Sequence, residues 1–212
     1  MSPLYENCVT LNDEQFRIIF GFEREGLDDA ILIVSPVLYP RLIHPLFPDA
    51  KVFRTIWSHS VHVLLNGRPC IFFIPLPGAF HHLELLNFLN LPAGRILHFF
   101  GAVGLLQDNL VTDQLYGCGE LFRLEISVST MAHTVQSSHA CLQPAGLPIL
   151  RIISSHLVSL ETPTAITQWQ SQGMQSIDME IAYLSDYLAV RDIKFYPVVW
   201  GTDYPHRGDT FH

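Results

Sequence analysis

The chain has 212 residues, 49% of them hydrophobic and 15% charged, with a formal net charge of −8. That length suits one α/β domain with a full core, spanning 1–212. The negative charge excludes a nucleic-acid backbone as the main partner, because binding one needs a basic face. Mean hydropathy is positive, so much of the surface is uncharged, and association with identical subunits is a natural way to cover it.

Met1 to Phe16 carries Glu6, Asp13 and Glu14 and no apolar run, so no signal peptide is expected there. No stretch approaches the ~20 apolar residues of a membrane span. The expectation is a cytoplasmic protein that does not enter a membrane. Cys8, Cys70, Cys118 and Cys141 are scattered, with no CxxC, and read as reduced, buried thiols.

In chain order, Ala30 to Val34 is a short continuous apolar run and reads as a buried strand ended by Ser35-Pro36. Tyr39 to Phe47 has helical potential. Val52 to Trp57, Val61 to Leu65 and Cys70 to Ile74 read as strands, the last two joined by the hairpin turn Asn66-Gly67. After the Pro75-Leu76-Pro77-Gly78 loop, Ala79 to Leu89 reads as a helix with a stripe of Phe80, Leu83, Leu86 and Phe88. Arg95 to Phe100 is a strand opening into a glycine-rich turn, Gly101 to Gly104. Leu115 to Val128 contains strand-like pieces, and Thr130 to Leu142 reads as a helix. Pro148 to Ser154 is a strand. Thr162-Pro163 supplies a cap and first-turn proline for a helix ending near Gly173. Ile177 to Val190 is the strongest helical segment, and Lys194 to Trp200 is the last strand. Alternating strands and helices with one hairpin predict an α/β fold, a three-layer αβα sandwich with a mixed central sheet.

Two carboxylates carry most of the chemical information. Ser176-Ile177-Asp178-Met179-Glu180-Ile181-Ala182 places one at a helix entry, and Trp200-Gly201-Thr202-Asp203 places another at a strand end. Taken alone, Glu180 is a first-turn acid favoured by the helix dipole, and Asp203 is a turn residue before Pro205.

Together with the pieces before them, these segments resemble the nucleoside phosphorylase type I superfamily. That superfamily includes purine nucleoside and uridine phosphorylases and methylthioadenosine nucleosidases. The resemblance is strongest over residues 30–203. It rests on the ordered set Ile31 to Pro40, Asn66-Gly67-Arg68, Ile96 to Gly104 with the following Leu105 to Leu110, Glu161 to Gly173, and finally Asp178-Met179-Glu180 with Thr202-Asp203. It implies cleavage of an N-glycosidic bond in a small nucleoside-like ligand, by a homo-oligomer such as a dimer or hexamer. Glu180 would accept hydrogen bonds from the ribose hydroxyls, and Met179 would pack against the sugar. Asp203 would bind or protonate the base. Gly101 and Ala102 would line the pocket floor, and Val158 falls where relatives place a base-stacking aromatic.

The departures from the family pattern favour hydrolysis over phosphorolysis. Phosphate needs glycine N–H groups and arginines. The first turn here reads Ser35-Pro36-Val37-Leu38-Tyr39-Pro40-Arg41, without the glycine, and Phe99 (or, with an offset of one, His98 or Phe100) and Ala102 stand where relatives carry an arginine and a serine. Arg41 and Arg54 are the available substitutes. The nucleosidases' water-activating glutamate also has no counterpart between Ser35 and Tyr39. Glu161 is a substitute base, or alternatively an acid beginning a helix. A homologue that keeps the fold and binds without turnover is the competing reading.

No cofactor is expected. Gly101-Ala102-Val103-Gly104 lacks the spacing of a dinucleotide loop, and Gly101 and Gly104 read instead as places where the backbone comes close to a ligand or another strand. Among the eleven histidines, the adjacent His81-His82 point to different sides of a helix, and His206 and His212 lie in a C-terminal tail, so no metal site is expected.

Overall fold

The computed structural model describes residues 10–38, 40–55, 58–127, 130–137 and 141–208. Cys8, Tyr39, Trp57 and His212, named above, lie outside the described residues. The chain runs α1 (Asp13–Phe20), β1 (Ile31–Val34), α2 (Pro40–Ile43), β2 (Lys51–Arg54), β3 (Ser58–Leu65), β4 (Arg68–Pro75), α3 (Ala79–Leu89), β5 (Ile96–Leu105), β6 (Leu115–Ser127) and β7 (Thr130–Gln136). It continues with β8 (Ile149–Ser154), a 3-10 turn (Val158–Leu160), α4 (Pro163–Ser171), β9 (Ser176–Asp178), α5 (Ile181–Val190), β10 (Lys194–Asp203) and a second 3-10 turn (Pro205–Arg207).

The central sheet is mixed. β1 lies between β4 and β5, parallel to both, and β3 and β2 extend the sheet beyond β4 as antiparallel strands. Asn66 and Gly67 take positive φ, 52° and 78°, the requirement of the tight hairpin that the sequence predicts. On its other side β5 pairs in parallel with β10. From there the pairing returns on itself: β10 with β6, β6 with β8, β8 with β9, and β9 with the end of β5. Five strands thus close a ring at one side of the open sheet.

Helices cover both faces, as the three-layer prediction requires. α1, α3 and α5 bury Phe16, Phe20, Leu85, Leu89, Leu184 and Leu188 in one large cluster with β1 and β5. α2 contributes Ile43 to a second cluster over β3 and β4. α4 lays Ile166 and Trp169 on Phe122, Leu124, Ile153 and Ile177. Among the described residues no helix is long and apolar enough to cross a membrane.

Local chemistry explains the element ends. Asn12 and Gln15 form a reciprocal capping box at α1, and Gly21 closes that helix with φ 80°. This helix was not expected, because it carries only two core residues, Phe16 and Phe20. Thr162 caps α4 by accepting from Ala165 N at 3.2 Å, with Pro163 in the first turn.

Four expectations need correction. Thr130 to Leu142 does not form a helix: β7 pairs antiparallel with β6, Leu124 opposite Thr134 and Phe122 opposite Gln136, and ladder pairing outweighs a weak helical pattern. Gly101 to Gly104 is not a turn, since β5 runs straight through it to Leu105, with Ala102 opposite Trp200. The glycines answer to close packing instead. A side chain at Gly101 would meet the Phe99 ring at 2.4 Å, and one at Gly104 would meet Pro205 at 2.5 Å. Ile177 to Val190 is divided, with Ser176–Asp178 in a strand and the helix starting at Ile181. Finally, α3 buries Ala79, His82, Leu85, Leu86 and Leu89 and leaves Phe80 73% exposed, so its inner face is rotated from the predicted stripe.

Because Trp169 is the largest side chain joining α4 to the ring, Trp169→Ala is expected to cost about 3–5 kcal/mol. Urea unfolding followed by circular dichroism measures this; a change under about 1 kcal/mol would show that α4 is not anchored there.

Candidate active site

β1, β4, β5 and β10 run in one direction, and their carboxyl ends form one edge of the sheet, where α/β folds gather ligands. β9 meets the end of β5, Leu105 opposite Ser176 and Gly104 opposite Ile177. The chain then passes through Asp178, Met179 and Glu180 into α5.

Asp178 organises this junction. One carboxyl oxygen accepts from Ser154 Oγ at 2.5 Å, and the other accepts from the N–H groups of Glu180 at 2.9 Å and Ile181 at 2.7 Å. Ser154 Oγ in turn accepts from Ala182 N at 2.9 Å. The leading N–H groups of α5, which have no partner within the helix, are therefore satisfied by β8 and β9.

Glu180 does not cap its own helix. Its Oε1 accepts from Gly78 N at 2.7 Å, across the sheet edge at the start of α3. Gly78 has φ 106°, a conformation that favours glycine. Its carbonyl accepts from His82 Nδ1 at 2.9 Å, so the Gly78 peptide is held from both sides. Burial lowers the His82 pKa to about 4; the ring is neutral, and its Nε2 is buried with no partner among the described residues.

The electrostatics follow from burial. Glu180 is 5% exposed, and burial first, then the charge of Asp178, raises its pKa, opposed by the N–H groups of Gly78 and Met179. Burial also raises Asp178, but one hydroxyl and two N–H donors oppose it. In this pair Asp178, with the richer donor set, keeps the charge, and Glu180 holds the proton. Glu161 closes the group. It ends the 3-10 turn, with its N–H donating to Val158 O at 2.9 Å. Burial, then the charges of Asp203 and Asp178, push its carboxyl up to about 7.

Asp203 stands at the end of β10, opposite Gly104 after an irregularity at Gly201. Thr202 Oγ1 lies 2.6 Å from its Oδ1 and 3.1 Å from Val103 O. The turn after it is pinned by Tyr204 OH, which donates to Leu110 O at 2.7 Å, and by the His206 ring, 3.2 Å from Leu105 O and 2.9 Å from Asp108 Oδ1. His206 is therefore part of a fixed turn and not of a loose tail.

Of the residues singled out from sequence, Glu180 follows β9 and bonds Gly78, and Asp203 ends β10 opposite Gly104 and lies against Thr202. Met179 is half-buried between Asp178 and Glu180. Gly101 and Ala102 lie within β5, short of its end, and Gly101 makes room for Phe99. Val158 is 62% exposed on the 3-10 turn. Arg41 and Arg54 are exposed on α2 and on edge strand β2. Sequence reasoning missed the tie to Gly78 and the capping role of Asp178. An aspartate three residues before a helical isoleucine was a signal for the latter, hidden by starting the helix at Ile177. Among the described residues no set of three histidine, cysteine or acidic side chains is arranged to hold a metal ion.

No family sequence model matches the chain, and no curated protein matches it in sequence. Solved structures do match its fold. Purine nucleoside phosphorylase from Toxoplasma gondii, in complex with immucillin-H, has 12% identity and a TM-score of 0.71 over 90% of this chain and 84% of that one. Uridine phosphorylase from Vibrio fischeri, complexed with 6-hydroxy-1-naphthoic acid, has 13% identity and a TM-score of 0.64 over 82% and 79%. The 5′-methylthioadenosine/S-adenosyl homocysteine nucleosidase of Campylobacter jejuni has 9% identity and a TM-score of 0.64 over 86% and 89%. The chain has a nucleoside phosphorylase-like fold.

The raised carboxyls make stability depend on pH. Glu180 and Glu161 ionise in the ordinary range when unfolded, near 4.5, and at higher pH when folded. Their contribution is fully present below the unfolded value and is lost as pH rises through the folded one. Unfolding free energy is expected to fall between about pH 5 and about pH 8, with a shallower decline in Glu180→Gln. Urea titrations at several pH values measure this, and an equal slope in the variant would show that Glu180 ionises normally.

Proposed function

We propose that the protein cleaves the N-glycosidic bond of a small nucleoside-like substrate, by hydrolysis and not by phosphorolysis. The observation that carries this reading is the buried carboxyl of Glu180, held at the carboxyl edge of a nucleoside phosphorylase-like fold by Gly78, with Asp203 at the end of β10. Glu180 would hold the ribose hydroxyls, the two donors of a cis-diol drawing it to its ionised form. Met179 would pack against the sugar, and Asp203 would face the base. Gly101 and Ala102 would form the floor through their backbone, with Val158 at the rim. The reaction passes through a cationic, oxocarbenium-like sugar, which nearby carboxylates stabilise.

Water is favoured as the attacking group because the charges acting on Glu161 are both negative, those of Asp203 and Asp178. A phosphate dianion would be repelled there. We read the protein as a cytoplasmic homo-oligomer; exposed apolar side chains such as Leu46, Leu64 and Phe80 support association.

One observation favours a second reading, a nucleoside-binding or structural homologue without turnover. Glu180 is already bonded to Gly78 and almost fully buried, so a sugar has to displace that contact.

Incubation with a panel of purine and pyrimidine nucleosides, with and without inorganic phosphate, tests the proposal. Free base and free sugar are expected without phosphate. Asp203→Asn is expected to lower kcat by about 10²–10⁴, and Glu180→Gln to lower kcat/KM by about 10–100-fold through lost charged hydrogen bonds. Binding in a calorimeter with no base released would favour the second reading. Release only when phosphate is present would overturn the hydrolytic assignment.

A further inference from the structure

We infer that His82 is a positioning residue for Glu180, holding its carboxyl in place through Gly78. This rests on the sugar-holding role given to Glu180 above and deepens it.

The link is short, and each step of it is a hydrogen bond. Glu180 stands just before α5 and Gly78 just before α3, 102 positions apart in the chain. Gly78 N–H donates to Glu180 Oε1 at 2.7 Å, and His82 Nδ1 lies 2.9 Å from Gly78 O. A carbonyl only accepts, so Nδ1 carries the proton of the second bond. His82 is one helical turn beyond Gly78, and side chains on a helix lean back toward its start. The ring therefore reaches the glycine without leaving the core.

Helix capping does not explain this glycine. Gly78 has no side chain with which to cap α3, and one added there would meet nothing within 4 Å. A serine or an aspartate would fit in that space and cap the helix. The φ of 106° is what disfavours them. In that conformation the N–H of Gly78 meets Glu180.

Core packing does not explain the ring either. α3 buries Ala79, His82, Leu85, Leu86 and Leu89, and His82 is the polar member of that set. It is 0% exposed, and its centroid lies 6.0 Å from that of the Phe99 ring on β5. Burial keeps the ring neutral. With the proton on Nδ1, Nε2 is a bare acceptor that has no partner among the described residues. A leucine would fill such a place without an unpaired buried nitrogen. What a leucine lacks is the donor to Gly78.

A glycine is the freest point of a backbone, and a glutamate side chain is long and flexible. A bond between the two alone would fix neither. Anchored at its carbonyl by a buried ring, Gly78 presents its N–H from one place, and Glu180 Oε1 is held to it. Sugar hydroxyls then meet a carboxyl that is already oriented, which reduces the ordering needed on binding. Fully buried, His82 acts on the ligand only through Gly78 and Glu180.

Three measurements test this. In ¹⁵N NMR of the unliganded wild type, the His82 ring is expected to carry its proton on Nδ1. A proton on Nε2 in its place overturns the link, and this reading needs no variant. In hydrogen exchange, His82→Leu is expected to lower protection of the Gly78 amide by about tenfold or more while leaving that of Leu184 in α5 unchanged. His82→Asn, which sets an amide N–H where Nδ1–H stands, is expected to restore it. Equal protection of Gly78 in His82→Leu and wild type overturns the proposal. In base release from the nucleosides that the wild type cleaves, His82→Leu is expected to lower kcat/KM by about tenfold, chiefly through KM, and to add almost nothing to Glu180→Gln. Full additivity of the two substitutions means that His82 does not act through Glu180, and it overturns the positioning role with the cleavage reading still standing. No base release from any nucleoside overturns the cleavage reading, while the ring proton and the Gly78 amide still decide whether His82 holds Glu180.

Discussion

The buried carboxylate of Asp178 is the constraint on which the rest of this edge depends. It bonds Ser154 on β8 and the first turn of α5, and it lies on β9, the short strand that closes the ring. An isolated charge at that depth is costly, and the three donors around it repay that cost only if strand, loop and helix are all in place. Folding of the ring and placement of α5 are therefore one event energetically. The same charge raises the pKa of both Glu180 and Glu161, so the element that holds the fold together also sets the protonation of its neighbours.

Those neighbours make the edge unlike an anion site. Phosphate sites are built from unpaired helix N–H groups and arginines. Here the N–H groups at the start of α5 are taken by Asp178 and Ser154, and the N–H of Gly78 at the start of α3 is taken by Glu180. Two helix starts that could have received an anion are occupied by the protein's own side chains. The edge therefore presents acceptors and not anion-binding donors.

Much of this was legible in the sequence. The apolar run at Ile31–Val34, the Asn66-Gly67 turn and the Thr162-Pro163 cap are local signals, and local physics decides them. The ordered carboxylate motifs likewise announced the fold, which the matched solved structures share. What escaped the sequence was decided by partners far along the chain. Thr130–Gln136 became a strand because β6 offered a ladder. Gly101 and Gly104 could be read as sites of close approach, but the sequence did not tell that Phe99 and Pro205 are what approaches them. The tie between Glu180 and Gly78 joins residues 102 positions apart, and no spacing rule reaches that far. Glu161 was visible as an acid, but its half-buried place at the end of the 3-10 turn depends on tertiary packing.

The closed ring of strands has a mechanical consequence. An open sheet can twist or splay to admit something at its end, but a ring whose last strand pairs with its first has no such freedom. β9 is only three residues long, yet it locks the ends of β5 and β8 into register. Two of the loops at the carboxylate edge are 76–78 and 155–162. The first carries the peptide that covers Glu180, and the second carries Glu161. The pieces of chain that bear these carboxyls are therefore anchored at both ends by the ring and the helices that follow it.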